Sequence, residues 1–157
     1  MTETADSLVQ RLTNGEEKTV RFFEALTADQ WGITIYTEGS SWTLQQVLAH
    51  LVAAEVSIVR LLKNILGGGA GTPENFNLDA YNERKVSELQ GISPENLLAE
   101  FKDCRASTIS LVAGLSLEDL SRQGRHPWLG MTEVGEIIKL LSLHTQIHQR
   151  DIRKILG

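Results

Sequence analysis

The chain has 157 residues, 41% of them hydrophobic and 22% charged, which suits one globular domain over residues 1–157 and leaves little room for a second. Its 15 basic residues are outnumbered by 20 acidic ones and are mostly scattered, which argues against a nucleic-acid-binding surface. No stretch approaches about 18 uninterrupted apolar residues, and the N-terminus is acidic, unlike a secretory signal. We therefore expect a soluble, cytoplasmic protein without nucleic-acid or membrane partners.

The first predicted element is a helix over about residues 5–28. Leu8, Leu12 and Phe23 recur at helical spacing and supply part of its apolar face. The following residues 31–37 contain the run GITIYT, which is short enough and alternating enough to be extended. It has no obvious strand partner in the sequence.

The second predicted helix begins abruptly, since either Ser41 or Thr43 can cap it, and it ends at the glycine run of residues 67–69. The 26 residues from 67 to 92 are more than an antiparallel hairpin needs, and residues 78–89 can form a short extra helix. A connection of this length can cross a bundle whose helices are on the order of 30 Å long. We therefore expect a crossover that lets the second and third long helices run parallel.

The third long helix has the clearest start signal, with Ser93 as the cap and Pro94 at the first helical position, and it continues to about Gly114. The fourth is predicted to begin at the cap Thr132 and to end at Gly157, with acidic residues in its first turns and basic residues in its last. Because no longer run of alternating apolar residues competes with these helices, the predicted fold class is all-α.

Two histidines lie four residues apart in the fourth helix, on its inward face. Four residues is about one helical turn, so the two side chains project from the same side of the helix. An unpaired buried polar group costs about 1–3 kcal/mol, so these imidazoles require a hydrogen-bond network, a water-filled pocket or an ion. The inward seam of the helix contains Val134, Ile137, Leu141, His144, His148, Asp151 and Ile155.

A third histidine, His50, lies about two turns into the second helix, beside Val47 and Leu51 on or near the inward face. Taken alone it is more simply a surface or hydrogen-bonded residue. A helical bundle can nevertheless bring it opposite the pair. Three imidazole nitrogens with open remaining positions are typical of a catalytic zinc site, and nickel, iron or manganese would also accept them.

The remaining candidate residues are interpreted more simply. His126, which precedes a proline, is predicted to be a loop residue, with a place at the rim of a pocket as the alternative. A zinc-peptidase motif is absent because Thr145 follows His144. Glu55 and Asp151 could each accept a hydrogen bond that orients an imidazole, or be exposed or ion-paired.

Two blocks of the sequence carry a family pattern: WTLQQVLAHL at residues 42–51 with Glu55 after it, and LHTQIH at residues 143–148. They resemble the DinB-like (damage-inducible) four-helix bundles, which include the N-terminal domains of mycothiol-dependent maleylpyruvate isomerases. The resemblance implies an up-down-down-up bundle and places Asn82 roughly where relatives have a polar residue near the metal. The implied ligands of a divalent metal are His50, His144 and His148.

The leading functional prediction is an enzyme. Family members resemble S-transferases or isomerases that use a low-molecular-weight thiol such as mycothiol or bacillithiol, or are described as metal-dependent hydrolases. We expect a divalent metal, zinc or nickel first and iron or manganese next, to activate such a thiol or water against a small electrophilic substrate. Cys104 lies in a helix without an activating neighbour, so a nucleophilic thiol would come from a cosubstrate. No further catalytic residue and no organic cofactor are predicted.

Two other functional classes stay open at this level. The first is a module that binds a metal or a small ligand without chemistry. The second is a purely structural bundle whose histidines share hydrogen bonds with Asp151 and water. Exposed apolar residues on one flank of a short bundle also favour a homodimer.

Overall fold

A computed structural model describes residues 3–157, so Met1 and Thr2, the first two residues of the predicted domain, lie outside the described residues. Within this range the chain forms six α-helices, one short 3-10 helix and two small sheets. The helices are α1 (Ala5–Glu24), α2 (Leu44–Leu66), α3 (Leu78–Glu88), α4 (Pro94–Ala113), α5 (Leu117–Ser121) and α6 (Val134–Leu156). The strands are β1 (Thr34–Tyr36), β2 (Trp42–Thr43), β3 (Gln123–His126) and β4 (Gly130–Glu133). The prediction of a mainly helical fold is confirmed.

Local capping signals identify the starts of two long helices correctly. Thr43 caps α2, because its hydroxyl accepts a hydrogen bond from the backbone N–H of Gln46 at 3.3 Å. Ser93 caps α4 in the same way, with Pro94 in the first turn. The short helix predicted in the long connection is also present, as α3.

Two helix boundaries differ from the prediction. The first predicted helix, residues 5–28, is too long, because α1 ends at Glu24 and a separate 3-10 helix follows at Ala28–Gly32. The predicted cap of the last helix is wrong, since Thr132 lies in β4 and pairs with Gly124 of β3. Helix α6 therefore begins one residue later than that cap implies.

Four strands correct the strictly all-α prediction. The extended segment in residues 31–37 does have a partner, because Thr34 pairs with Thr43 and Tyr36 pairs with Trp42 in an antiparallel β1–β2 sheet. Strands β3 and β4 form a second antiparallel hairpin just before α6. Strands of two to four residues are too short to show a readable alternation of apolar residues, so the sequence does not reveal them.

The four long helices α1, α2, α4 and α6 pack around two apolar clusters. Helix α1 packs against α4 and α6, whereas α2 packs mainly against α4 and less extensively against α3 and α6. The first cluster includes Phe23 of α1, Leu48 of α2, Phe101 of α4 and Ile152 of α6. The second cluster includes Leu12 of α1, Leu62 of α2, Val112 of α4 and Ile137 of α6.

Helix α2 is long and apolar enough to cross a membrane by length and composition alone. Its position explains this composition, because it contacts α3, α4 and α6 and contributes Val47, Leu51 and Leu62 to the buried core. It also buries two polar side chains, His50 and Glu55, inside the protein. We therefore describe α2 as a core helix of the bundle.

Candidate metal centre

Three histidine side chains meet between α2 and α6. The Nε2 atom of His144 lies 3.2 Å from Nε2 of His50 and 3.0 Å from Nε2 of His148. One ring nitrogen from each residue can be chosen so that all three lie within 4.8 Å of one another. The structure thus brings together the three residues that the sequence singles out, while metal binding by them stays a prediction.

The spacing of these nitrogens fits a single ion. Zinc–nitrogen bonds of about 2.0–2.1 Å at tetrahedral angles place two ligand nitrogens about 3.3 Å apart. The two Nε2 separations of 3.2 and 3.0 Å are close to this value. The donor set also fits, because neutral imidazole suits zinc, nickel and iron.

The α6 seam is only partly as predicted. Ile137 and Leu141 are buried, and the rings of His144 and His148 lie one turn apart with centroids separated by 4.6 Å. Ile155, the last residue of the predicted seam, is instead 52% exposed. Ile155 is therefore not part of the inward face, and in the last turn of α6 it is Leu156 that packs against the core.

Tyr36 completes the surroundings of His148 and is missed by the sequence reasoning. Its hydroxyl oxygen lies 2.7 Å from Nδ1 of His148 and donates a hydrogen bond of 2.7 Å to Oδ2 of Asp151. Because the single hydroxyl proton goes to the carboxylate, the oxygen accepts from Nδ1–H of His148. This leaves a lone pair on Nε2 of His148, facing the other two histidines. Asp151 thus orients the imidazole only through Tyr36.

Glu55 has a different role from the one that its place after His50 suggests. Its carboxylate accepts hydrogen bonds of 3.1 and 2.5 Å from the Arg105 guanidinium and one of 2.9 Å from the Thr108 hydroxyl. Arg105 also donates to the backbone oxygen of Leu12 at 3.0 Å. Of the two predicted alternatives, the ion pair is the one that the structure contains, and it is fully buried between α2 and α4.

Burial keeps the three clustered histidines neutral. It lowers the pKa of His144 to about 3 and the pKa of His148 to about 4, and it lowers the pKa of His50 well below its usual value. Positive charge on the neighbouring histidines would lower the pKa of His50 and His144 further, whereas the Asp151 carboxylate acts in the opposite direction on His148. Neutral imidazoles have the lone pairs that a metal ion requires.

The histidines open onto a cleft of about 1170 Å³. This volume is sufficient for a small-molecule substrate. The hydroxyls of Ser57 and Tyr81, 2.6 Å apart, and the side chain of Asn82 line the same cleft. Aromatic side chains that also line it are Tyr36, Trp42, Phe76, Tyr81 and Trp128.

His126 belongs to this cleft as well. The prediction of a loop residue is wrong, because His126 is the last residue of β3, and the alternative of a residue lining a pocket is the correct one. Its Nδ1 atom accepts hydrogen bonds from the backbone N–H groups of Trp128 and Leu129 at 3.0 and 3.1 Å. The short strand that positions it has no readable signal in the sequence.

Cys104 is not among the residues that line the cleft. Burial raises the pKa of its thiol, and the nearby carboxylates of Glu100, Glu55 and Asp103 raise it further. A protonated, half-buried thiol on α4 is a poor nucleophile. The expectation that Cys104 lies in a helix without an activating neighbour agrees with this placement.

Comparison with known proteins identifies relatives along nearly the whole chain. The family model of the DinB superfamily matches residues 11–152. A protein of Bacillus cereus (strain 03BB102), provisionally named a metal-dependent hydrolase, is 25% identical over 155 residues, which cover 98% of this chain and 86% of that protein.

Solved structures show the same fold at low sequence identity. The mycothiol-dependent maleylpyruvate isomerase superposes with a TM-score of 0.78 at 14% identity, over 96% of this chain but only 61% of the isomerase. YfiT from Bacillus subtilis superposes with a TM-score of 0.76 at 21% identity, over 96% of this chain and 84% of YfiT. It is described provisionally as a metal-dependent hydrolase with an unusual four-helix bundle topology. The colibactin self-resistance protein ClbS, solved with double-stranded DNA, superposes with a TM-score of 0.78 at 13% identity, over 98% of this chain and 95% of ClbS.

Proposed function

The chain belongs to the DinB superfamily, and from this premise we propose that it is an enzyme that binds one divalent metal through His50, His144 and His148. The observation that carries the proposal is the convergence of their Nε2 atoms, at 3.2 and 3.0 Å, beside a cleft that can admit a substrate. The provisional naming of relatives as metal-dependent hydrolases supports it. Zinc and nickel are the first candidates, and iron and manganese follow.

The side chains around the three histidines prepare them to hold the ion. When bound, the ion supplies Lewis acidity that lowers the pKa of a water or thiol at an open position. Tyr36 and Asp151 fix the tautomer and the orientation of His148. The ring of Trp42 lies 4.9 Å from the ring of His50 and covers it, while Trp42 itself is held by a hydrogen bond to Glu83.

The nucleophile comes from solution in this proposal. The chain has one cysteine, Cys104, and its raised pKa and its position on α4 leave it without a part in the reaction. A low-molecular-weight thiol or a water molecule therefore attacks a small electrophilic substrate in the cleft. The presence of a mycothiol-dependent enzyme among the structural neighbours favours testing thiols first.

Elemental analysis of the protein, purified without a polyhistidine tag, tests the proposal together with thiol-conjugation and hydrolysis assays. We expect about one ion per chain, and we expect His148→Ala to lose both the ion and the activity because one of three ligands is removed. Leu143→Ala is a matched control on the same helix, since Leu143 is exposed and is not among the residues lining the cleft.

Two results would replace this proposal by the alternatives. A metal-free protein that also ignores added zinc and nickel would favour a structural bundle with hydrogen-bonded histidines. A protein that binds metal but converts none of a broad panel of thiols, esters and amides would favour a non-catalytic binding module.

We also propose that the four long helices are arranged up-down-down-up. One apolar cluster combines Phe23 near the end of α1, Leu48 near the start of α2, Phe101 near the start of α4 and Ile152 near the end of α6. This combination favours parallel α2 and α4, which requires the connection containing α3 to cross the bundle. A crystal structure checks the order directly.

A further inference from the structure

A fourth histidine lies in the cleft without a part in the metal centre. His126 is only 6% exposed and lines the same cleft as His144 and His148. It comes from the β3–β4 hairpin, whereas the three clustered histidines come from α2 and α6. A buried imidazole facing a substrate cleft needs its own explanation, since the proposed metal site does not use it.

Backbone contacts fix the tautomer of His126. Its Nδ1 atom accepts hydrogen bonds from the N–H groups of Trp128 and Leu129 at 3.0 and 3.1 Å. A nitrogen that accepts must carry a lone pair, so the proton of the neutral ring is on Nε2. Burial lowers the pKa of His126 to about 4, so the ring is neutral at pH 7. The side chain therefore presents one fixed N–H donor.

This donor has no acceptor within the described part of the chain. The hydrogen bonds of His126 side-chain atoms within residues 3–157 all involve Nδ1, and Nε2 is not among the fully enclosed atoms that lack a partner. Nε2 is thus reachable from the cleft that His126 lines. Because this N–H has no protein acceptor and is open to the cleft, an oxygen atom of a ligand can accept a hydrogen bond from it there.

The hairpin holds the donor in a defined place. Arg125, immediately before His126, donates its backbone N–H to the oxygen of Ala70 at 2.9 Å and accepts from the N–H of Thr72 at 2.8 Å. Across the hairpin His126 pairs with Gly130. The strand is therefore attached both to its partner and to the connection after α2, and such a pre-positioned donor does not have to reorganise when a ligand binds.

We propose that His126 is a ligand-binding residue whose Nε2–H donates a hydrogen bond to a carbonyl or carboxylate oxygen of the small molecule in the cleft. The effect of His126 on turnover rests on the proposed metal-dependent function. In that reaction the Nε2–H donor stabilises the negative charge that develops on the substrate oxygen. A neutral imidazole can do this without giving up its proton, as in enzymes where a low pKa keeps the histidine uncharged.

Histidine ¹⁵N NMR of the metal-free full chain tests the binding role without any activity measurement. We expect His126 to be protonated at Nε2 and unprotonated at Nδ1, and we expect its Nε2–H signal to move when benzoate or benzamide is titrated. A proton on Nδ1, or an Nε2–H signal that stays in place up to the solubility limit of both probes, would overturn the proposal.

The variant His126→Asn removes the donor and keeps the acceptor. The asparagine amide oxygen can still accept hydrogen bonds from the N–H groups of Trp128 and Leu129, but the shorter side chain cannot place a donor at the position of Nε2. We expect it to bind both probes about tenfold more weakly, the loss of one good hydrogen bond. Met131→Leu is the matched control, because Met131 lies in the same hairpin, is exposed, and is not among the cleft-lining residues. Equal probe affinity in His126→Asn and wild type would contradict the proposal.

Hydrolysis of 4-nitrophenyl acetate by metal-loaded protein tests the catalytic consequence. We expect His126→Asn to keep the metal content of the wild type and to lose about a hundredfold in kcat/KM, the usual effect of removing one oxyanion donor. If the wild type binds metal and hydrolyses nothing, the proposed hydrolytic function fails, while the NMR titration still decides whether His126 binds a ligand oxygen.

Discussion

The orientation of His148 in the proposed metal site depends on one hydroxyl group, that of Tyr36. It accepts from Nδ1–H of His148 and donates to Asp151, and burial and the Asp151 carboxylate raise the pKa of Tyr36 so that it keeps its proton. We predict that Tyr36→Phe weakens zinc binding about 10- to 100-fold, because the imidazole of His148 loses the group that orients it. Competition titration with a chelator of known zinc affinity measures this.

The control for this variant is Tyr81→Phe. It also removes a hydroxyl from the cleft, one that is hydrogen-bonded to Ser57 rather than to a histidine. Its zinc affinity should equal that of the wild type. A Tyr36→Phe protein that binds zinc as tightly as the wild type would show that His148 does not need the Tyr36–Asp151 contact.

Single residues show where sequence reasoning succeeds at the site. His144 and His148 are recognisable because both lie on one helix face, where spacing alone defines the geometry. Tyr36 is 112 residues away from His148 in the chain, so no local pattern relates the two. The prediction that His126 is a loop residue is wrong for a similar reason, since a hairpin and a cleft, rather than the neighbouring residues in the sequence, create its environment.

At the level of elements, a buried ion pair joins α2 to α4. Glu55 and Arg105 are almost completely inaccessible to solvent. We predict that Glu55→Ala lowers the free energy of unfolding by about 3–5 kcal/mol, because it leaves the Arg105 guanidinium buried without a counter-charge. Urea denaturation monitored by circular dichroism measures the change.

The matched control breaks an exposed ion pair. Arg125 and Glu74 are joined by a contact of 2.9 Å, but the Glu74 side chain is 82% exposed. Glu74→Ala should cost less than about 1 kcal/mol, as is usual for surface pairs. A loss of similar size in both variants would mean that burial does not set the importance of the Glu55–Arg105 pair.

The helices were more predictable than the strands. Caps such as Thr43 and Ser93 act through hydrogen bonds to residues three positions away, so the sequence contains the whole interaction. Thr132 satisfies the same local rule, yet it pairs with Gly124 in a hairpin and the helix starts after it. A tertiary pairing therefore overrides a plausible local cap.

The whole molecule buries His50 and His126 and partly buries His144 and His148, and this makes its stability depend on pH. Burial lowers the pKa of His126 and His148 to about 4 and that of His144 to about 3, below the usual 6.5, and it lowers the pKa of His50 in the same direction. Below pH 6.5 the unfolded chain therefore binds protons that the folded chain does not. The free energy of unfolding therefore keeps its full value above pH 6.5 and decreases as the pH falls from 6.5 toward 4.

We predict that the free energy of unfolding of the metal-free protein decreases between pH 6.5 and pH 5, with a limiting slope of about 1.4 kcal/mol per pH unit for each histidine. Urea denaturation after chelation of metals measures it. His126→Asn removes one of the four groups and should reduce the slope by about a quarter. Equal unfolding free energies at pH 5 and pH 7 would contradict neutral burial of these histidines.

The association state is also a property of the whole molecule. Several large apolar side chains are exposed, which favours a homodimer. We predict that light scattering gives about twice the 17.4 kDa mass of the chain, and a mass of one chain would contradict this. The exposed large apolar side chains include Leu117 of α5, Trp128, Leu129 and Met131 of the β3–β4 hairpin, and Leu143 of α6.

Two predictions about partners and location stay open at this scale. ClbS, which has the same fold, was solved with double-stranded DNA, whereas the scattered basic residues of this chain argue against such a partner. At 13% identity that likeness shows the fold alone. The absence of a nucleic-acid partner and the cytoplasmic location therefore remain predictions.

The sequence by itself determined what depends on neighbours within a few residues: the long helices, the caps Thr43 and Ser93, and the shared face of His144 and His148. The tertiary structure decided what joins distant segments, namely the approach of His50 to that pair, the Tyr36–Asp151 contact and the hairpin that places His126 in the cleft. Helical periodicity is a local property that repeats along the chain. A cleft instead forms where separate elements pack, and only the packed chain specifies which side chains face it.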